Sequence, residues 1–342
     1  MNLYGLNSTY ETSEVIVIPV PWEGTVSYGR GTAAAPEAIL EASSQIDLCD
    51  VEGAKAYKRG IFMLEIPEEI KKLNTEAKSF VRHEKYTEKY TVHQAEQQAE
   101  IVVENAGALN LLSDKVNNYV YATAQKIISA GKIPVVLGGE HSVPYGAIKA
   151  LAENRAGGSF GVLHLDAHFD LRKAYEGLTF SHASIMYNVI SNVSEVEKLV
   201  SVAVRDFCEE ELEFASANKK IAFFSDNDLA LAKIKGESWF SITERIISEL
   251  PKNVWVSFDI DALDPSLSPH TGTPVPGGLS FHEANHILRR VVETGRKIVG
   301  ADLCEVAVPS VEGNLGEGEW DANVGMRVLY KIFNWIVRDN SL

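Results

Sequence analysis

Short apolar, β-branched runs alternating with helix-patterned stretches predict an α/β fold built on a parallel sheet with helices over both faces. The runs are almost wholly apolar, as strands buried on both sides must be. Carboxylates and imidazoles cluster immediately after several of them, where open parallel sheets present their ligand sites.

Strands are expected at residues 15–20, 61–66, 133–137, 160–165, 199–204, 221–225, 254–258 and 298–303, each a compact Val/Ile/Leu/Phe-rich run. Helices are expected at 34–46, 144–153, 209–218, 242–250, 281–294 and about 323–337. The helix at 281 has a reason to start there. Ser280 and Glu283 have the spacing of a capping box, in which each side chain bonds the other's backbone amide. Residues 50–130 break the rhythm. They are rich in Glu, Lys, Gln and Ala and read as two or three successive helices. With no Gly/Ser/Pro linker, low-complexity tract or internal repeat, residues 1–342 read as one domain with this helical elaboration.

The bulk numbers exclude several classes. The chain has 342 residues, 45% of them hydrophobic, enough for a large core. Its formal charge of −15 lacks the positive field that nucleic acid requires and favours a cationic ligand. Three dispersed cysteines (Cys49, Cys208 and Cys304) suggest a reducing compartment rather than a disulfide framework. No signal-like start and no apolar stretch of membrane-spanning length is visible, so a soluble cytoplasmic protein is expected.

Three segments carry the chemistry: Gly-Gly-Glu-His at 138–141, His-Leu-Asp-Ala-His-Phe-Asp at 164–170 and Asp-Ile-Asp-Ala-Leu-Asp at 259–264. Together they bring five aspartates and three histidines to strand ends. So many carboxylates would repel one another in a folded interior unless cations sat among them. In extended backbone, residues two apart face the same way. Asp166, His168 and Asp170 therefore share a side, as do Asp259 and Asp261. With His141 they make six candidate ligands for two cations. Six monodentate ligands are too few for two five- or six-coordinate ions, so Asp166 and Asp259, each first in its motif, are expected to bridge. Carboxylate and imidazole without thiolate favour Mn²⁺, with Ni²⁺ or Co²⁺ as substitutes. Asp264, before Pro265, reads as a turn former. His164 reads as a hydrogen-bonded core histidine, and Glu140 as a support for a ligand or a backbone amide.

These segments, with Thr271-Gly-Thr-Pro-Val-Pro-Gly-Gly278, Ala35-Pro-Glu-Ala-Ile39 and Glu305, resemble the signatures of the ureohydrolases, the family of arginase and agmatinase. The resemblance covers most of the chain outside about 50–130. It implies a three-layer α/β/α sandwich on an eight-stranded, mostly parallel sheet of arginase type. It implies two Mn²⁺ ions per subunit held by His141, Asp166, His168, Asp170, Asp259 and Asp261. It also implies hydrolysis of a guanidino or formimidoyl C–N bond and assembly as a trimer or hexamer. Glu305 matches the family's guanidinium-binding glutamate and His182 a histidine of the loop after the second motif. On this reading Glu305 sets the guanidinium carbon facing the attacking water, Asp170 carries its proton to the leaving amine, and His182 relays protons or orients substrate.

The loop Asp170-Leu-Arg-Lys-Ala-Tyr-Glu-Gly-Leu-Thr-Phe-Ser-His182 lacks the Asn/Ser-rich stretch with which arginases hold a substrate carboxylate, and is similar to that of agmatinases. Agmatine, converted to putrescine and urea, is the expected substrate. Arginine, guanidinobutyrate, guanidine and formimidoylglutamate are the alternatives. Arg172 or Lys173 is a candidate for a substrate carboxylate, against an ordinary solvated charge. Two departures from the family pattern stand out: the 50–130 segment, and Val-Ala-Val-Pro-Ser after Glu305, where an acidic residue usually follows the proline. Outside the class, His282-Glu-Ala-Asn-His286 matches a zinc-peptidase pattern, but its glutamate is the one assigned to the capping box. Gly29-Arg-Gly-Thr-Ala-Ala34 resembles a dinucleotide loop but stands too far from its strand, and is expected to shape the rim of the site. A catalytically silent metal-binding protein is the third rival; all six ligand positions being filled argues against it.

Overall fold

The computed structural model describes residues 2–52, 55–80, 92–154, 158–308 and 318–338, and for 92–103 the backbone alone. Eight strands form one sheet: β1 (Val15–Val20), β2 (Ile61–Met63), β3 (Ile133–Gly138), β4 (Phe160–Leu165), β5 (Val196–Val204), β6 (Ile221–Ser225), β7 (Asn253–Asp259) and β8 (Lys297–Cys304). Their order is β2-β1-β3-β8-β7-β4-β5-β6, and every pairing is parallel.

The helices are α1 (Ala35–Ala42), α2 (Glu68–Phe80), α3 (Val92–Ser129), α4 (Tyr145–Asn154), α5 (Ile185–Asn192), α6 (Glu209–Ala217), α7 (Asp226–Ile234), α8 (Trp239–Ser248), α9 (Phe281–Glu293) and α10 (Glu319–Ile336). They divide between the two faces because successive strand residues do. Val15, Val17, Val135 and Leu137 pack with α1 and α7 to α10, while Ile16, Ile18, Val20 and Val136 pack with α2 to α6. Both faces are thus dry, which is why the strands read as unbroken apolar runs. The expected three-layer sandwich is observed.

Most elements lie within a few residues of their expected positions, and two were not anticipated. α5 (Ile-Met-Tyr-Asn-Val-Ile-Ser-Asn) has β-branched and Asn residues of modest helix propensity. It is held by burial of Ile185, Met186, Val189 and Ile190. α7 follows β6 with no intervening loop; Ser225 ends the strand and caps the helix by accepting from the Asp228 amide. β2 stops at Met63 rather than residue 66 and pairs only with β1, at the sheet edge. The helical elaboration comprises α2 and α3, and Ile70, Leu73 and Ala77 of α2 pack with Leu109, Leu112 and Val116 of α3. Among the described residues, no helix is long and apolar enough to cross a membrane.

Candidate metal centre and catalytic cleft

The chain leaves β3 at Gly138, β4 at Leu165, β7 at Asp259 and β8 at Cys304, and these four strands are adjacent in the sheet. Their carboxyl ends therefore deliver His141, Asp166–Asp170, Asp259–Asp261 and Glu305 to one place. β3 and β4 are consecutive in sequence but separated by β8 and β7, so the connections diverge and leave a crevice.

His141 Nδ1 lies 2.9 Å from Asp166 Oδ2, 3.1 Å from Asp170 Oδ2 and 3.2 Å from Asp259 Oδ2. His168 Nδ1 lies 3.1 Å from Asp261 Oδ2 and 3.3 Å from Asp166 Oδ1. Asp166 thus turns one oxygen to each histidine. Asp259 and Asp261 are fixed through their second oxygens: Asp259 Oδ1 accepts from the Asp261 amide (2.8 Å), and Asp261 Oδ1 from the Ala167 amide (2.9 Å). One oxygen of each is spent on the backbone and the other is aimed at an imidazole.

The donor set suits divalent cations. His141, His164, Asp166 and Asp170 form one group of converging ligand atoms, and Asp166, His168 and Asp261 a second. Asp166 belongs to both. Oxygen and imidazole donors without sulfur fit Mn²⁺ and its neighbours. The electrostatics agree. Burial, reinforced by Asp166, pushes Asp170 up to about 6, and burial with the Asp261 and Asp166 charges pushes Asp259 well up. Burial opposes charge on the imidazoles, yet hydrogen bonds donated to four carboxylates hold His141 well above its usual range, and Asp261 and Asp166 push His168 up to about 12. Imidazoles driven cationic among crowded carboxylates mark a centre whose acids call for positive charge.

His164 bonds Ser201 Oγ through Nδ1 (3.1 Å) and Asp166 Oδ2 through Nε2 (2.9 Å), so it is a satisfied core histidine even though it borders the cluster. Glu140 accepts from Trp22 Nε1, Thr25 Oγ1, Ser142 Oγ and the Thr25 amide, fastening the β1 loop. Its complete burial outweighs the hydroxyl bonds and lifts it to about 7. Asp264 accepts from the Ser266 amide in a turn. Ser257 and Asp302 stand at the expected strand ends, but the sequence assigned them no role. Ser257 Oγ lies 2.9 Å from His141 Nε2 and donates to Asp302 Oδ1 (2.9 Å), while Trp255 Nε1 donates to Asp302 Oδ2 (2.5 Å). Ser257 shares the parity of Asp259 and Asp261, which is the signal that could have found it.

Beside the cluster opens a cavity of about 160 Å³ lined by His168, Asp170 and His182, and by Arg172, Tyr175 and Asp206 among others. His182 stands at the start of a short 3₁₀ turn. Its Nε2 is 3.4 Å from Ser27 Oγ, its amide donates to Thr25 Oγ1 (3.1 Å), and the Tyr175 ring packs edge-on against it. Burial and the His168 charge push it down to about 4, so it is neutral at pH 7. Glu305 is buried next to His141 instead of in the open wall. Its Oε1 accepts from the His141 amide (2.8 Å), and a methyl on Gly272 would sit 3.5 Å from Oε2. Burial and Glu140 push Glu305 well up. Both Asp170 (φ 54°) and Glu305 (φ 62°) have left-handed backbone, an unfavourable conformation that clusters at functional sites.

The Arg172 guanidinium stacks on Tyr175, with its Nε 3.5 Å from Glu211 Oε2, whereas Lys173 is exposed. Asp206 and Glu211 of the cleft wall were also missed; Asp206 lies just beyond β5, bridged to His168. The rival motifs are accounted for locally. Glu283 accepts from the Ser280 amide and from Lys233 Nζ (2.8 Å), completing the capping box, and among the described residues His282, Glu283 and His286 belong to no converging ligand group. The Gly29 amide donates to Gly272 O (3.0 Å), which places the glycine-rich loop at the rim, as expected. The Pro-Ser departure after Val308 lies outside the described residues.

A parallel α/β/α sandwich with a carboxylate–imidazole cluster at its strand ends is a scaffold able to hold divalent cations beside a cleft, and the comparisons place it among the ureohydrolases. Residues 13–333 match the sequence profile of the Arginase family, and the chain belongs to that family. It is 31% identical over 304 residues to the N(1)-aminopropylagmatine ureohydrolase of Thermus thermophilus, covering 88% of this chain and 85% of the relative. It is 29% identical over 303 residues to the agmatinase of Bacillus anthracis, covering 87% and 85%. The fold is similar to that of the agmatine ureohydrolase of Thermoplasma volcanium (TM-score 0.70, 23% identity, 98% and 94% covered). It is likewise similar to the proclavaminate amidino hydrolase of Streptomyces clavuligerus (TM-score 0.72, 19% identity, 98% and 96% covered). The protein is an agmatinase-like ureohydrolase.

Proposed function

We propose that this protein is a binuclear manganese enzyme that hydrolyses the guanidino C–N bond of agmatine to give putrescine and urea. The observation that carries the binuclear reading is Asp166, whose two oxygens face two different histidines. His141, Asp166, Asp170 and Asp259 would hold one cation, and His168, Asp261, Asp166 and Asp259 the other. When bound, the pair supplies Lewis-acid activation of water at neutral pH. The chain's own residues do the rest. Glu305 accepts guanidinium N–H bonds and orients the carbon. Asp170 takes the proton released as water adds and returns it to the leaving nitrogen as the C–N bond breaks, giving urea and the free amine. Neutral His182 accepts a bond from the substrate and holds it in line.

A cationic substrate tail is supported by Asp206 of the cleft wall and by the net charge of −15. The same negative charge favours a second reading, N(1)-aminopropylagmatine, the compound named for the Thermus relative. We also propose that residues 1–342 form a single ureohydrolase domain that works in the cytoplasm as a homo-oligomer, a trimer or hexamer. Urea release with Mn²⁺ from agmatine, N(1)-aminopropylagmatine, arginine, guanidinobutyrate and guanidine, and formamide release from formimidoylglutamate, test the assignment. Fastest turnover of a guanidine bearing a carboxylate, or none of any, would overturn it.

A further inference from the structure

The helical elaboration reaches the cleft from two directions. Lys78 of α2 pairs with Glu23, whose side chain is only 2% exposed. Glu23 Oε2 accepts from the amides of Gly31 (2.8 Å) and Ala33 (3.1 Å), and its own amide donates to Asn74 Oδ1 of α2 (2.9 Å). Both ends of the loop after β1 are thereby tied to one helix. Between them lie Thr25 and Ser27, the residues by which this loop touches His182.

From the other side, Asn110 of α3 donates to Gly177 O (3.0 Å) and accepts from the Thr179 amide (2.8 Å). Gly177 has φ 78°, and a methyl there would meet Ala106 of α3 at 3.1 Å, so glycine lets helix and loop approach. The turn so held closes on itself, the Tyr175 and Leu178 amides exchanging bonds, and it presents Tyr175 to His182. Two helices thus grip the two loops that converge on one imidazole.

We infer that α2 and α3 position the substrate end of the cleft, with Lys78 and Asn110 as positioning residues for the loops carrying Thr25, Ser27 and Tyr175. The inference rests on the reading of this cleft as the catalytic one. Neither residue touches the metal-ligand candidates, so loosening either loop leaves the cation centre intact and blurs the placement of substrate. A grip of one or two hydrogen bonds is worth about tenfold in loop opening.

The test uses the full-length, Mn²⁺-loaded protein and the variants Asn110→Ala, Lys78→Met and Lys78→Arg. Hydrogen exchange is expected to quicken about tenfold in residues 175–181 for Asn110→Ala and in residues 23–33 for Lys78→Met, with Lys78→Arg restoring the latter. Metal content stays unchanged, and kcat/KM for whichever guanidine is turned over falls about tenfold, chiefly through KM. Unchanged exchange in both loops overturns the inference, as does faster exchange with unaltered kinetics. Loss of metal or global unfolding in Asn110→Ala also overturns it, since the residue would then be a structural support. Should Lys78→Met strand the Glu23 charge and unfold, the double variant Lys78→Met/Glu23→Gln removes both charges and gives the same readouts. Exchange needs no turnover, so failure of the substrate assignment shows in urea release alone.

Discussion

Ser257→Ala should weaken metal binding without touching a candidate ligand. Ser257 Oγ is buried between two partners, 2.9 Å from Asp302 Oδ1 and 2.9 Å from His141 Nε2. Asp302 also takes the Trp255 N–H, and the single Ser257 hydroxyl proton goes to its Oδ1, so the hydroxyl must accept from Nε2–H. That assigns the His141 proton to Nε2 and leaves Nδ1, which faces Asp166, Asp170 and Asp259, free to ligate. Alanine strands the Nε2–H; an orphaned buried donor costs about 1–3 kcal/mol. Asp302 Oδ1, 3.6 Å away, can partly substitute, which places the loss at about 1–2 kcal/mol. Removing such a partner typically lowers metal affinity about 10–100-fold. Chelator competition and metal analysis read the affinity, and urea release is followed at limiting and saturating Mn²⁺. The expected result is lost activity at limiting metal and near-complete recovery at saturation. Wild-type affinity would refute the tautomer argument. So would activity that stays lost with the centre full, because Ser257 would then act in the chemistry.

Asp259→Asn should abolish urea release and halve bound metal, measured by elemental analysis; full turnover in the variant would remove Asp259 from the centre. Gly272→Ala should fold normally, because its methyl finds ordinary contact distances, yet it faces Glu305 Oε2 at 3.5 Å. A loss of roughly 10²-fold in kcat/KM is expected from misplacing the guanidinium, and unaltered kinetics would show that substrate does not use that oxygen. Metal removal should make stability pH-dependent. In the metal-free protein the folded-state pKa of His141 and His168 is raised above the unfolded value of about 6.5. Their contribution is therefore complete below about pH 6.5 and is lost as pH rises towards the folded values, by up to about 1.4 kcal/mol per unit for each. The metal-free Tm should fall between pH 6.5 and 9 while the loaded protein, with neutral ligating imidazoles, changes little. A flat metal-free profile counts against cationic imidazoles in that state.

The candidate ligands were legible because local rules place them: each follows an apolar run, and alternation aligns Asp166 with His168 and Asp170, and Asp259 with Asp261. The capping box at Ser280 and the turn at Asp264 are equally local, and both formed as read. α7 escaped because Ser225 serves strand and helix at once, and α5 because its helicity comes from what it buries. Asp206, Glu211, Thr25 and Ser27 escaped because no spacing in the chain relates them to His182 or Asp170.

From the amino-acid order alone came the parallel α/β architecture, the strand ends bearing the acids and the identity of the six ligand candidates, since periodicity and strand-end position are properties of neighbouring residues. The order β3-β8-β7-β4 was decided only in three dimensions. That order sets Ser257 beside Asp302 in register and brings His141, Asp166 and Asp259 within reach of one another. Packing of α2 and α3 against the same face carried Lys78 and Asn110 to the cleft. Such contacts join residues tens to hundreds of positions apart, and they exist only once burial of both sheet faces has selected which strands lie side by side.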